Sequence, residues 1–198
     1  MRDLYFQCDF SAEEFAARRG RVMERMEGGI ALIAGAPEVA GFEPFRQNND
    51  FYYLCGVEVP HAYLLIDADR KRSTIYLPEV DAKYQETDGP QLGPGDGDFV
   101  REKTGVEETA PLAGLLEDLK GARRLWLPHS AQEGRMACQD TLRHQQKSAE
   151  ADPMDGRVLD AIHLIEKVKR IAPAAELVDL SPILQRMRLI KSAAEIAG

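Results

Sequence analysis

Four histidines, three cysteines and 33 acidic side chains are the stock from which this 198-residue chain could build a reactive centre. Their spacing argues against most of the obvious ones. His61, His129, His144 and His163 share no metal-ligand spacing with one another. Asp160 and His163 stand three apart and would be neighbours on a helix, the placement of an acid beside a base. With Glu166 and Lys167 close by, the same stretch reads as an ordinary polar helix face. Cys8, Cys55 and Cys138 are odd in number, widely separated and without a C-x-x-C pair, so neither a disulfide framework nor a structural zinc site is indicated. The H-E-x-x-H, G-x-S-x-G, Walker and G-x-G-x-x-G signatures are all absent. Gly93-Pro94-Gly95-Asp96-Gly97 has the glycines of a phosphate loop but no strand before it and no clear helix after it, and reads as a flexible loop.

Composition narrows the class further. With 44% hydrophobic and 29% charged residues the chain is that of one ordinary folded domain, long enough for a substantial core. A formal charge of -8 disfavours a nucleic-acid binder, which would carry a basic face. Arg18, Arg19 and Arg21 are the densest basic cluster, and beside Glu13, Glu14 and Glu24 they read as a solvated mixed-charge helix face. No apolar leader opens the sequence and no run of about 18 apolar residues occurs, so neither export nor a membrane span is expected. The cysteine usage fits a reducing cytoplasm.

The elements that must position any site alternate between helix and strand. Ser11-Ala12-Glu13-Glu14 has the spacing of a capping box, and a helix with Phe15, Val22 and Met26 on its buried stripe runs from it to Gly28-Gly29. Ile30-Ala31-Leu32-Ile33-Ala34 reads as a buried strand. Asn49 is placed to cap a short aromatic helix through Phe51, Tyr52 and Tyr53, ended by Gly56. The aromatic side chains of this N-terminal quarter, from Tyr5, Phe6 and Phe10 through Phe42 and Phe45, are read as core packing. Tyr63-Leu64-Leu65-Ile66 and Ser73-Thr74-Ile75-Tyr76-Leu77, joined by a short polar link, predict an antiparallel hairpin. Pro111 is placed to start a helix through Leu119, followed by a strand at Arg124-Leu125-Trp126-Leu127. Residues 132–151 are polar and predict a helical surface excursion, closed by the breakers of Asp152-Pro153-Met154-Asp155-Gly156. Val158, Ile162, Ile165 and Val168 keep helical spacing, Glu176-Leu177-Val178-Asp179-Leu180 reads as a strand, and a helix follows from Pro182. The pattern predicts an α/β domain, a mixed central sheet flanked by helices.

A second capping box, Ser192-Ala193-Ala194-Glu195, has only Ile196, Ala197 and Gly198 after it. A helix started within one turn of the last residue predicts that the chain is a piece of a longer protein.

The most informative stretch is Phe45-Arg46-Gln47-Asn48-Asn49-Asp50-Phe51-Tyr52-Tyr53-Leu54-Cys55-Gly56, followed by Glu58, Pro60 and the first hairpin strand. It resembles the aminopeptidase P N-terminal domain of the creatinase/prolidase N-terminal domain family. Ala36-Pro37-Glu38, Leu77-Pro78 with Asp81, and Asp179-Leu180-Ser181-Pro182 leading to Arg188-Leu189-Ile190-Lys191-Ser192 fall in the order that family predicts. The resemblance implies that 1–191 form this domain and that 192–198 begin the linker or first helix of an absent "pita-bread" catalytic domain. It implies an Xaa-Pro aminopeptidase whose second domain binds two divalent metals, commonly manganese, and hydrolyses peptides with proline at the second position. Here it implies no catalytic residue and no metal ligand, and a role in homo-oligomer building and substrate access. Asp155-Gly156-Arg157 looks like a D-G-R loop of the family, from which Arg157 would reach a partner's cleft and hold substrate oxygen. Thr87 and Met154 depart from the family, which often carries aromatics there, and imply a different peptide preference. An Xaa-Pro dipeptidase (prolidase) and a stand-alone binding module of the same fold are the alternatives. Asp, Asp, His, Glu and Glu ligands after Gly198 would favour an enzyme over the module, and turnover of longer peptides over dipeptides would favour the aminopeptidase.

Overall fold

The structure, a computed structural model, describes residues 10–38, 45–134 and 137–197. Elements follow in the order α1 (Ala12–Arg25), β1 (Ile30–Ala34), α2 (Asn49–Cys55), β2 (Tyr63–Asp67), β3 (Arg72–Leu77), α3 (Ala82–Asp88), α4 (Gly97–Thr104), β4 (Glu108–Pro111), α5 (Leu115–Lys120), β5 (Arg124–Leu127), α6 (Gln139–Ala151), α7 (Asp160–Ile171), β6 (Glu176–Asp179), α8 (Ser181–Leu189) and α9 (Ala193–Ala197). The strands form a six-stranded mixed sheet in the order β4-β3-β2-β1-β5-β6. β2 pairs antiparallel with both β1 and β3, with Leu32 opposite Leu65 and Leu65 opposite Thr74. The remaining pairs are parallel.

Both faces of the central strands are buried, and strand alternation sorts their side chains into two cores. Ala31, Ile33, Leu64, Ile66, Ile75, Leu77 and Trp126 face α1, α2, α4 and α8 through Val22, Leu54, Val100 and Leu184. Leu32, Leu65, Tyr76, Leu125 and Leu127 face α5 and α7 through Leu115, Leu119 and Val168. Gly56 ends α2 at φ 68, and a Cβ there would enter the Phe15 ring, so the left-handed turn and the contact between α1 and α2 both require glycine.

Three local expectations are corrected. Pro111 ends β4, paired with Leu77, and α5 starts after a 3-10 turn over Leu112–Gly114. The glycine-rich segment is a 3-10 turn over Pro94–Asp96, in which Asp96 accepts from Gly93 N at 3.1 Å, and α4 opens at Gly97, so a helix follows it after all. Asn49 begins α2, but Asn48 occupies the cap position. Of the aromatics expected in the core, Phe51 and Tyr53 are buried; Tyr5, Phe6 and Phe42 lie outside the described residues.

Candidate functional site

The basic cluster on α1 is not a solvated face. Arg18 and Arg19 are each 1% exposed, and only Arg21 of the three stays near the surface. The reason lies in the helices packed against α1. A helix leaves its last carbonyls without internal partners, and α2 and α4 both end beside these arginines. Arg19 Nη1 donates to Leu54 O at 2.9 Å and to Thr104 O at 3.0 Å, serving the ends of both helices at once. Its Nε donates to Ser73 Oγ at 2.9 Å, whose hydroxyl donates in turn to Glu107 at 2.7 Å, so the buried charge has a carboxylate in its network. Burial lowers the pKa of Arg19, opposed by the nearby Cys55 and Glu107. Arg18 Nη1 donates to Tyr53 O at 3.0 Å. This pair serves the internal architecture of the domain.

The region that faces outward is α6 and the loop after it. α6 buries no residue, and the loop after it carries Met154, which is 90% exposed, with Val158 also exposed. Met154 N donates to Asp152 Oδ1 at 2.9 Å, which folds the loop locally. Arg157 sits on this loop with its side chain 77% exposed. Its Nε donates to both oxygens of Asp155 at 2.9 Å, and its backbone N donates to the same carboxylate at 3.0 Å. The guanidinium beside it holds the Asp155 carboxyl at about 2. Arg157 therefore stands at the surface with its hydrogen bonds, among the described residues, going to its sequence neighbour Asp155. Thr87, the other position singled out, lies on α3, and its side chain is outside the described residues.

Shortly after Arg157, α7 begins at Asp160 and lines a groove of about 240 Å³. The groove opens at the carboxyl ends of the parallel strands β1 and β5, through Ala34, Gly35 and Pro128. From β1 the chain builds one side of the sheet through β4, then returns to the other side as β5, and such reversal points are where open α/β sheets form crevices. The Asp160 and His163 pair borders the groove, and so does His61. His61 has φ 57, and its Nε2 accepts from Glu38 N at 3.1 Å. Burial raises the pKa of Tyr63 in the same wall, and the Asp160 charge adds to it. Gln132 Oε1, also in the wall, is buried and accepts no hydrogen bond from the described residues. No spacing in the sequence could have joined His61 to His163; only the topology does.

The other histidines go elsewhere. His129 N donates to Asp179 Oδ1 at 3.0 Å and to Ser181 Oγ at 2.9 Å, closing the turn between β5 and α8, and His144 lies on α6. Among the described residues no three His, Cys, Asp or Glu side chains come together as metal ligands. A larger cavity of about 640 Å³ at the opposite, amino-terminal ends of β1 and β5 mixes Asp67, Asp69 and Glu117 with Arg70, Arg123 and Arg124. Asp67 is occupied there in capping the β2–β3 turn, accepting from Asp69 N at 3.0 Å and Arg70 N at 2.8 Å.

The aminopeptidase P N-terminal domain profile matches residues 15–124. The Xaa-Pro aminopeptidase of Escherichia coli (strain K12) is 31% identical over 198 residues, covering 96% of this chain and 41% of its own length. Among solved structures, aminopeptidase P from E. coli with the inhibitor Pro-Leu superposes with a TM-score of 0.63 at 27% identity, over 95% of this chain and 41% of that one. A putative aminopeptidase P from Bacillus anthracis shares the fold with a TM-score of 0.70 at 14% identity, over 95% and 42% of the two chains. The chain thus spans about two fifths of the length of these relatives.

Proposed function

The chain belongs to the aminopeptidase P N-terminal domain family, and from that premise we propose that it is the non-catalytic, substrate-selecting and oligomer-building domain of an Xaa-Pro aminopeptidase. The single observation that carries the selecting role is Arg157, a guanidinium held out on a surface loop with Asp155 as its partner. A planar five-donor fork is suited to a carboxylate or a peptide carbonyl. The exposed Met154 and Val158 flank it with apolar surface fit for a neighbouring subunit.

In this reading the partners are the catalytic portion of the same polypeptide, further copies of the chain, and peptides with proline at the second position. The reaction needs two divalent metals, manganese by family habit, which would supply a bridging hydroxide and polarise the carbonyl before proline. The described side chains do not assemble a ligand set for them, so no step of the hydrolysis is assigned to this chain. A cytoplasmic setting is part of the proposal and is supported by the free Cys55 and Cys138. Among the described residues no helix is long and apolar enough to cross a membrane.

The test is Arg157→Ala in the full-length peptidase, assayed on Xaa-Pro-led peptides of increasing length. A fall in kcat/KM of about 10- to 100-fold is expected, from the loss of a charge-assisted hydrogen bond, with unchanged thermal stability and partial rescue by Arg157→Lys. An unchanged kcat/KM would remove Arg157 from substrate selection.

A further inference from the structure

We infer that Glu14 and Arg18 form a receptor for residues 192–197, seating that segment on α1 and fixing the direction in which the polypeptide leaves the domain. The consequence for a peptidase rests on the reading above, in which the catalytic portion follows this segment; the contact itself rests on geometry alone.

α9 has five residues, far below the length at which a helix persists unaided. Its own cap is complete: Ser192 N donates to Glu195 Oε2 at 2.8 Å, and Glu195 N donates to Ser192 Oγ at 3.2 Å. The cap is also bound to the domain. Ser192 Oγ accepts from Glu195 N while its own proton goes to Glu14 Oε1 at 3.0 Å, so one hydroxyl serves the helix start and the docking contact together.

Glu14 is free for this because it has left the capping box expected at the start of α1. Ser11 Oγ accepts from Glu14 N at 3.4 Å, but the Glu14 carboxylate turns away to accept from Arg18 Nε at 3.1 Å, with Arg21 Nη2 at 3.6 Å. Arg18 is walled by aromatic rings, its guanidinium carbon 4.1 Å from the Phe10 centroid and 4.3 Å from that of Tyr53. The cage leaves one nitrogen in need. Nη2 is buried without a hydrogen-bond partner among the described residues and lies 3.7 Å from Glu195 Oε1. A buried donor left without an acceptor is costly, and Glu195 is the group that approaches it. The arrangement is a polar socket shaped for a serine hydroxyl and a glutamate three residues later in the same helix cap.

The segment turns its polar side chains inward and its large apolar ones outward. Ile196 is 76% exposed and Leu189 82%, with Ile190 exposed between them. A terminal segment covering an ordinary surface would face the other way. On the reading above, the outward apolar face would meet the catalytic portion, carried by a helix whose angle the socket sets.

Hydrogen exchange on the 198-residue chain tests this directly. Amides 195–197 should exchange well below unstructured rates in the wild type, Glu195 N and Ile196 N being held by Ser192. Ser192→Ala and Glu195→Ala should each raise their exchange about tenfold or more, the scale of losing a cap hydrogen bond, while the amides of β1 and β5 stay unchanged. Arg18→Lys, which keeps the charge but loses the fork and the stacking, should also release the segment. Glu195→Gln, which keeps an acceptor for the cap but not the charge, should release it less than Glu195→Ala. Unstructured exchange of 195–197 in the wild type, or no change in the Glu195→Ala variant, would overturn the inference. Exchange is blind to peptidase activity, so this inference and the assignment of Arg157 fail separately.

Discussion

α1 and α6 are helices of similar length and polarity that meet opposite fates. α1, 14 residues with charge on every turn, buries Phe15, Arg18, Arg19 and Val22. α6, with 13 residues, buries none. The difference is not in the helices but in what lies opposite. α1 is packed across the ends of α2 and α4, whose last carbonyls need donors, and long guanidinium side chains reach them while their stems fill the core. Among the described residues nothing comparable confronts α6, so its charges stay in water and the loop after it offers Arg157 to the outside. Two arginines of one chain thus do opposite work. Arg19 holds three elements together and Arg157 holds none.

Substitution should expose that contrast most sharply at Arg19. Arg19→Met keeps much of the volume but leaves Leu54 O, Thr104 O and the Glu107 network without their cation. A loss of about 3–5 kcal/mol is expected, read as a large drop in the urea midpoint. A variant as stable as the wild type would break the comparison, since Arg19 would then be merely tolerated inside.

A smaller effect is expected where β5 meets α8. Burial pulls the Asp179 carboxyl up, but hydrogen bonds from Ser181 and from His129 N outweigh it, and its pKa is lowered on balance. A lowered folded value means stability that is present above the unfolded carboxyl value and lost as pH falls through the folded one. Asp179→Asn should cost about 1 kcal/mol at neutral pH, the scale of a weakened cap, and should flatten the acid limb of the stability curve below about pH 4. An acid limb identical to that of the wild type would show that other carboxyls carry it. At the low end, Arg157→Ala should leave the urea midpoint essentially unchanged, as surface substitutions usually do; a clear drop would make the outer loop structural after all.

Much of this architecture was legible beforehand, and the exceptions share a cause. Strands β1, β2, β3, β5 and β6 announce themselves because both of their faces are buried or their turns are short. β4 does not: Glu108-Thr109-Ala110-Pro111 is a partly exposed edge strand with a single neighbour, so it needs no apolar run. α4 was hidden by the glycine that opens it. The capping box at Ser192 was readable because all its partners are local, whereas that at Ser11 was misread in part because Glu14 serves residues far along the chain. The burial of Arg18 and Arg19 depends on acceptors 35 and 85 residues away, and the groove joins His61 to His163 by topology alone. Local pattern reports what a segment can do, and the acceptors brought to it by the fold decide what it does.

The most direct measurement of the functional account is the simplest. The 198-residue chain, folded and supplied with manganese, is incubated with an Xaa-Pro-led peptide and the release of the N-terminal amino acid is followed. A domain that selects substrate without cleaving it releases nothing above manganese in buffer. Sustained release that a chelator abolishes would contradict the account and place the chemistry within these residues.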